Sequence, residues 1–218
     1  GGYSSQQEVL DLAQNFIDND LPCDVIHMDI DYMDNYKVFT VDKNRFPDLT
    51  ALSDVLHQKG IRLVTIIDPG TKVENGYHMY EEGIKNNYFA QTPDGEVYEN
   101  VVWPGDSVFP DYTSSIVRNW WGSQTKFLLD QGISGIWNDM NEPASFRGPL
   151  PDDVVFPGDD MPRQHKEVHN VFGHLMAKAT YEGIKKNSGK RPFVITRACY
   201  SGTQKYSTAW TGDNQSIW

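Results

Sequence analysis

The stretch Gly135-Ile136-Trp137-Asn138-Asp139-Met140-Asn141-Glu142-Pro143-Ala144-Ser145-Phe146 decides how this chain folds. The apolar residues from Gly132 to Trp137 predict a buried strand, since a short apolar run bounded by turn residues fits a strand covered on both faces. The run passes straight into acid and amide side chains, and Pro143, which has no N–H to give a ladder, stops it. A buried strand ending in acids is how a β/α barrel presents its chemistry, because catalytic side chains gather at the carboxyl ends of the strands.

Outward from that stretch the pattern repeats. Residues 24–31 and 61–67 predict two earlier strands. The first places Val25, His27, Asp29 and Asp31 on one face and Ile26, Met28 and Ile30 on the other, by the two-residue period of a strand. The second delivers Asp68 in front of Pro69-Gly70, and residues 191–197 and 207–213 predict two later strands. Apolar residues at helical spacing predict helices over 6–19, 50–59, 112–130 and 164–187, with Pro22 and Gly60 stopping the first two. Residues 71–110 change to short polar and aromatic pieces and are expected to form an excursion over the mouth of the domain. Within it, Pro93-Asp94-Gly95 is read as the turn of a hairpin between 88–91 and 97–103. Residues 147–160, rich in Pro, Gly and Asp, predict a loop.

Strands alternating with helices predict an α/β fold with a parallel sheet, and acids at the end of strand after strand favour a (β/α)8 TIM barrel over an open sheet. About five strands are found in 218 residues, whereas a closed barrel has eight in about 250. Residues 1–218 are therefore expected to be part of a single catalytic-barrel domain. The last two strands are joined by only about ten residues, too few for a crossover helix.

Composition narrows the classes. With 39% hydrophobic and 12% aromatic residues the chain reads as globular. A net charge of −11, with no basic cluster longer than Lys185-Lys186, argues against a nucleic-acid partner. Cys23 and Cys199 are far apart, so neither a disulfide framework nor a cysteine metal site is supported. There is no signal peptide at Gly1 and no apolar run long enough to cross a membrane. A cytoplasmic location is the expectation, although the start reads as a trimmed edge.

Two motifs carry a resemblance. Trp137-Asn138-Asp139-Met140-Asn141-Glu142-Pro143 resembles the nucleophile signature of the retaining α-glucosidases of glycoside hydrolase family 31, in which the Asp before Met attacks the sugar. Further along, Trp210-Thr211-Gly212-Asp213-Asn214 is similar to the family's acid/base motif, in the order the family uses. The resemblance covers nearly the whole chain and places it from just after the first barrel strand to just after the sixth. It implies Asp139 as nucleophile and Asp213 as acid/base, the pair of carboxyl groups that glycoside hydrolysis needs, about 5–5.5 Å apart in a retaining enzyme. To hold its proton near neutral pH, Asp213 would need burial or the neighbouring charge of Asp139. Capping a turn is the plainer alternative role for each Asp.

The resemblance also implies the substrate-binding set. Asp29, in Asp29-Ile30-Asp31-Tyr32-Met33, would bind glucosyl hydroxyls, and Asp68 matches a family Asp near the same pocket. Trp103, in Val101-Val102-Trp103-Pro104-Gly105, would pack on the apolar face of the sugar, with Trp137 and Phe146 as further walls. Met140 and Trp210 fall within the two catalytic motifs, and Arg197 matches a family Arg able to fork onto a carboxylate. Where many members have an Arg five residues before the acid/base Trp, this chain has Lys205, a point charge in place of a planar fork.

The implied activity is release of terminal non-reducing α-linked glucose from small oligosaccharides with retention of configuration. An α-xyloside hydrolase and an α-transglucosidase remain open. So do a sugar transferase gripping a metal between Asp29 and Asp31, and a noncatalytic carbohydrate-binding module. No cofactor and no metal are implied, and the oligomeric state is not readable. His165 and His169, four apart, lack the Glu directly after the first His that a zinc-protease helix carries, and are read as structural. Asn214-Gln215-Ser216 is formally a glycosylation acceptor, but it adjoins the proposed acid, so no glycan is expected. With strands missing, these residues alone are expected to show little or no turnover.

Overall fold

The computed structural model describes residues 2–213 and 215. In chain order, α1 (Gln6–Asp18), β1 (Val25–Met28), α2 (Leu49–Gln58) and β2 (Arg62–Ile67) alternate. Then come β3 (Thr71–Lys72), α3 (His78–Asn86), β4 (Glu99–Val102) and β5 (Gly105–Val108). The chain continues through α4 (Ser115–Leu129), β6 (Gly135–Asn138), β7 (Val155–Phe156), β8 (Arg163–Gln164), α5 (His165–Ser188), β9 (Val194–Thr196) and β10 (Thr208–Ala209). The helices start where side chains satisfy their free N–H groups. Ser5 accepts from the Glu8 N–H at 3.2 Å, Asp48 accepts from Ala51 at 2.9 Å, and Gln164 with Glu167 forms a capping box at α5.

Five strands form one parallel sheet in the order β1-β2-β6-β9-β10, an arc of a TIM barrel. Register makes the two faces different. Ile26, Leu63, Ile136 and Val194 fall on one face and are 0–3% exposed, packed in the main core with α1, α2, α4 and α5. His27, Trp137 and Ile195 fall on the other face and are half-buried around an open concavity. Behind the sheet α4 and α5 pack closely through Gly122 and Gly183. A Cβ on Gly183 would lie 2.3 Å from the Gly122 carbonyl oxygen, so no larger residue fits there without parting the helices.

Three expectations need correction. The first strand stops at Met28, three residues early, because the Asp29 side chain accepts from the Ile30 N–H at 2.7 Å and starts a 3-10 turn over Ile30–Tyr32. Strand alternation therefore does not put Asp29 and Asp31 on one face. Residues 71–110 hold more than one hairpin. The turn at Pro93-Asp94-Gly95 is present, with Thr92 N–H donating to Glu96 O at 2.7 Å, but Glu99–Val102 then pairs with Gly105–Val108. The result is a three-stranded antiparallel sheet, β3-β5-β4, beside the unanticipated helix α3. Finally, the last strand ends at Ala209, not at Asp213; the connection from β9 is as short as expected, with the 3-10 turn Thr203–Lys205 in place of an α-helix.

Candidate active site at the strand ends

Register brings the proposed site residues together. Ile67 pairs with Asn138 and Asn138 with Thr196, so the next residue on each strand, Asp68, Asp139 and Arg197, stands beside its neighbour at the carboxyl edge. Thr196 also pairs with Ala209, which sets Trp210 next in the row. All four continue the face that carries Ile66, Trp137, Ile195 and Thr208. Asp139 is 7% exposed and its N–H still donates to Ile67 O at 3.4 Å. Directly after it Met140 takes φ +55°, a left-handed conformation uncommon for a residue with a Cβ. That turn ends the strand, aims the Met140 N–H at the Asp139 carboxylate, and leaves Met140 Sδ accepting from Arg197 Nη2 at 3.2 Å.

Arg197 is the electrostatic hub. Its Nε and Nη2 fork onto Glu142 at 2.8 and 3.0 Å, its Nε lies 3.3 Å from Asp139 Oδ1, and its Nη1 lies 3.9 Å from Asp213 Oδ2. Burial pushes the Asp139 carboxyl up to about 6, against the downward pull of Arg197 and the Met140 N–H. Without those two contacts it would sit higher still. A carboxyl with a pKa of about 6 remains mostly ionised at pH 7, by about ten to one. Asp68, 4% exposed, is held well above the usual carboxylate range by burial first and then by the charges of Asp139 and Asp29. Two neighbouring carboxyls thus sit in environments that separate an ionised role from a proton-holding one.

Asp213 meets this cluster at Arg197, and its charge also helps to raise Asp139. Its side chain is 85% exposed, so the burial that the acid/base role asks for is not supplied by the described residues. The cause is local: β10 ends at Ala209, and the chain runs outward through Gly212 at φ +83°. Glu142, Arg197, Thr211, Gly212 and Asp213 line a cleft of about 320 Å³ there. Asn214 and Ser216, the ends of the formal glycosylation acceptor, lie outside the described residues.

Aromatic walls flank the acids on two sides. Trp137 and Trp210 meet edge to face at 5.6 Å and line, with His27 and Ile195, a concavity of about 250 Å³. On the other side Trp103 occupies the β4–β5 turn and meets Phe146 at 5.0 Å. That hairpin is seated on the nucleophile loop by a second small core of Val102, Phe109, Met140 and Leu150, and by Phe146 N–H donating to Val101 O at 2.8 Å. Gly70, two residues after Asp68, permits the close approach: a Cβ there would lie 2.4 Å from Val102 Cγ2.

Some expected residues stand elsewhere. Lys205 lies in the exposed 3-10 turn, in a groove with Tyr181, Arg191, Phe193 and Thr208, away from the acids. Asp31 pairs with Arg45 at 3.2 Å and so holds a neighbouring segment, which leaves Asp29 without a metal-gripping partner. His165 and His169 have their rings 4.7 Å apart, and burial, then His169, pushes His165 down to about 4. Among the described residues no group of three or more His, Cys, Asp or Glu side chains is arranged to hold a metal ion. No described helix is long and apolar enough to cross a membrane. Sequence reasoning passed over Glu142, the strongest partner of Arg197, although it stands three residues after the nucleophile in the quoted motif.

Fold and strand-end acids together define part of a parallel β/α barrel. Residues 1–218 match the profile described as the glycosyl hydrolases family 31 TIM-barrel domain, and the chain belongs to that family. It is 52% identical over 219 residues to "Alpha-glucosidase 2" of Bacillus thermoamyloliquefaciens, covering 99% of this chain and 28% of that protein. The crystal structure of an ER glucosidase II heterodimeric complex of catalytic subunit and the binding domain of the regulatory subunit aligns with a TM-score of 0.92 at 37% identity, over 100% of this chain and 24% of that one. A family 31 alpha-glucosidase from Bacteroides thetaiotaomicron aligns with a TM-score of 0.82 at 42% identity, over 99% and 35%. The chain therefore spans about a quarter to a third of the length of these relatives.

Proposed function

We propose that these residues form the nucleophile-bearing part of a retaining α-glucosidase, which releases terminal non-reducing α-linked glucose from small oligosaccharides. The observation that carries the reading is Asp139: a buried carboxylate at a strand end, kept ionised by Arg197, on a guanidinium that also reaches Asp213. The names of the relatives above support the substrate class.

In this mechanism an Asp139 carboxylate oxygen attacks the anomeric carbon while Asp213 gives its proton to the departing glycosidic oxygen, leaving a glucosyl ester on Asp139. Asp213, now a carboxylate, takes a proton from water, whose oxygen attacks the same carbon and frees Asp139. Arg197 keeps Asp139 charged before attack and, tied to Glu142, holds it in place. Asp29 and Asp68 bind glucose hydroxyls, and Trp103, Trp137, Phe146, Met140 and Trp210 wall the cleft.

The test is the configuration of the first-formed product. Proton NMR of the full-length gene product acting on an α-glucoside should show α-glucose first, with β-glucose appearing only by mutarotation. β-Glucose appearing first would mean single displacement and would remove Asp139 from its role.

A further inference from the structure

Three aromatic rings stand in a row at the mouth of the site, and one of them, Tyr36, has no role in the mechanism above. Tyr36 meets Trp103 at 6.5 Å and 61°, and Trp103 meets Phe146 at 5.0 Å and 86°. Trp103 is 47% exposed, Phe146 is 53% exposed, and Tyr36 is half-buried. The three come from separate segments: the loop after β1, the β4–β5 turn and the loop after β6. Large rings left facing water, yet fixed edge to face against one another, suit the C–H face of a sugar, because they offer apolar area with little left to order on binding.

The loop that presents Tyr36 is held against its own preference. Asn35, Tyr36 and Phe39 have φ of +49°, +59° and +57°, a region that residues with a Cβ seldom occupy and that persists only where the surroundings over-determine it. The surroundings here are specific. Lys37 bridges Asp34 at 2.9 Å and Glu74 at 2.8 Å, and Glu74 in turn pairs with Lys72 of β3 at 2.8 Å. The Tyr77 hydroxyl donates to Val38 O at 2.7 Å, while Val38 and Phe39 are buried in the main core. A strained turn pinned at this many points to set one ring beside Trp103 points to function.

We infer that Tyr36 is a specificity-determining residue that extends the Trp103–Phe146 wall outward and stacks on the leaving-group sugar of a di- or oligosaccharide. The inference rests on the hydrolytic reading. With a terminal glucose among the strand-end acids, the rest of the substrate leaves the cleft outward, and the hairpin seated on Met140 brings the row of rings to that exit.

The test compares kcat/KM of wild type, Tyr36→Ala and Tyr36→Phe on two substrates. One is whichever of maltose, nigerose and isomaltose the wild type cleaves fastest; the other is α-glucosyl fluoride, whose leaving group is a single atom. The ratio of the first to the second falls about tenfold in Tyr36→Ala, the scale of one aromatic contact, and Tyr36→Phe restores most of it. An unchanged ratio, or equal losses on both substrates, overturns the inference. Calorimetric titration in an Asp139→Asn background reads the same contact without turnover. Disaccharide binds more tightly than glucose when Tyr36 is present, and Tyr36→Ala removes about tenfold of that preference. Absence of any turnover would fail the hydrolytic reading alone, whereas a disaccharide bound no tighter than glucose would sink the role of Tyr36.

Discussion

Asp139→Asn should abolish turnover and at the same time stabilise the fold at neutral pH. Burial raises the Asp139 carboxyl from 3.8 to about 6 even with Arg197 beside it, so the charged form is less favourable in the folded chain than in the unfolded one. A gap of that size, between 3.8 and about 6, corresponds to at most about 3 kcal/mol. Residual contact with water reduces the usable part to about 1–2 kcal/mol. The Asn side chain keeps the shape and carries no charge to desolvate. Arg197 is not stranded by the change, because its fork with Glu142 at 2.8 and 3.0 Å remains. Since the folded value is the raised one, the contribution of Asp139 to stability is complete below about pH 4 and is lost as pH rises through about 6. The wild type should therefore lose stability across that window where Asp139→Asn does not. At pH 7 the variant should be more stable by about 1–2 kcal/mol, a rise of about 2–8 °C in Tm for a chain of this size. Denaturant melts at pH 4, 5, 6 and 7 would measure it. A variant no more stable than wild type at pH 7, or an advantage that does not shrink toward pH 4, would refute the reasoning.

Two further substitutions probe the other charged residues. Arg197→Met removes the main force holding Asp139 down, so the acid limb of the kcat/KM profile should move above about 6, with activity at pH 7 falling by about 100-fold or more; a limb that stays in place would detach Arg197 from Asp139. Asp213→Gly should cost about 100-fold or more on a disaccharide, whose departing oxygen needs a proton, and far less on α-glucosyl fluoride, whose leaving group does not. Equal losses on the two substrates would argue that Asp213 does not act as the acid.

How much of this was legible in the sequence depends on how local each cause is. β2, β6 and β9 announced themselves because each is a short apolar run close to a Gly or Pro, and the charged residues at their ends could be placed by counting past the run. Side-by-side placement of Asp68, Asp139 and Arg197 needs only the register. What stayed hidden came from contacts between distant segments. The strand at β1 was read too long because a single side-chain cap at Asp29 ends it. α3 was missed because Tyr77 gives no side-chain cap and Gly83 weakens the helical signal in the sequence; that Gly is required by the Phe89 ring, 2.2 Å from where its Cβ would be. β5 carries only Gly105-Asp106-Ser107-Val108, too little pattern to predict a strand without its partner. Lys205 was placed by motif spacing, but the short turn between β9 and β10 carries it to the outside of the sheet. Tyr36 gave no sequence signal, since nothing local connects it to Trp103, 67 positions away.

Covalent trapping tests the central claim most directly. The full-length gene product would be incubated with a ring-fluorinated α-glucosyl fluoride, whose good leaving group lets the ester form faster than water removes it, and then digested for peptide mass mapping. One fluoroglucosyl mass on the peptide containing Asp139, absent in Asp139→Asn, is the predicted result. An active enzyme that carries the label on another carboxylate, or takes no label while the reagent is consumed, would contradict the assignment of Asp139 as nucleophile.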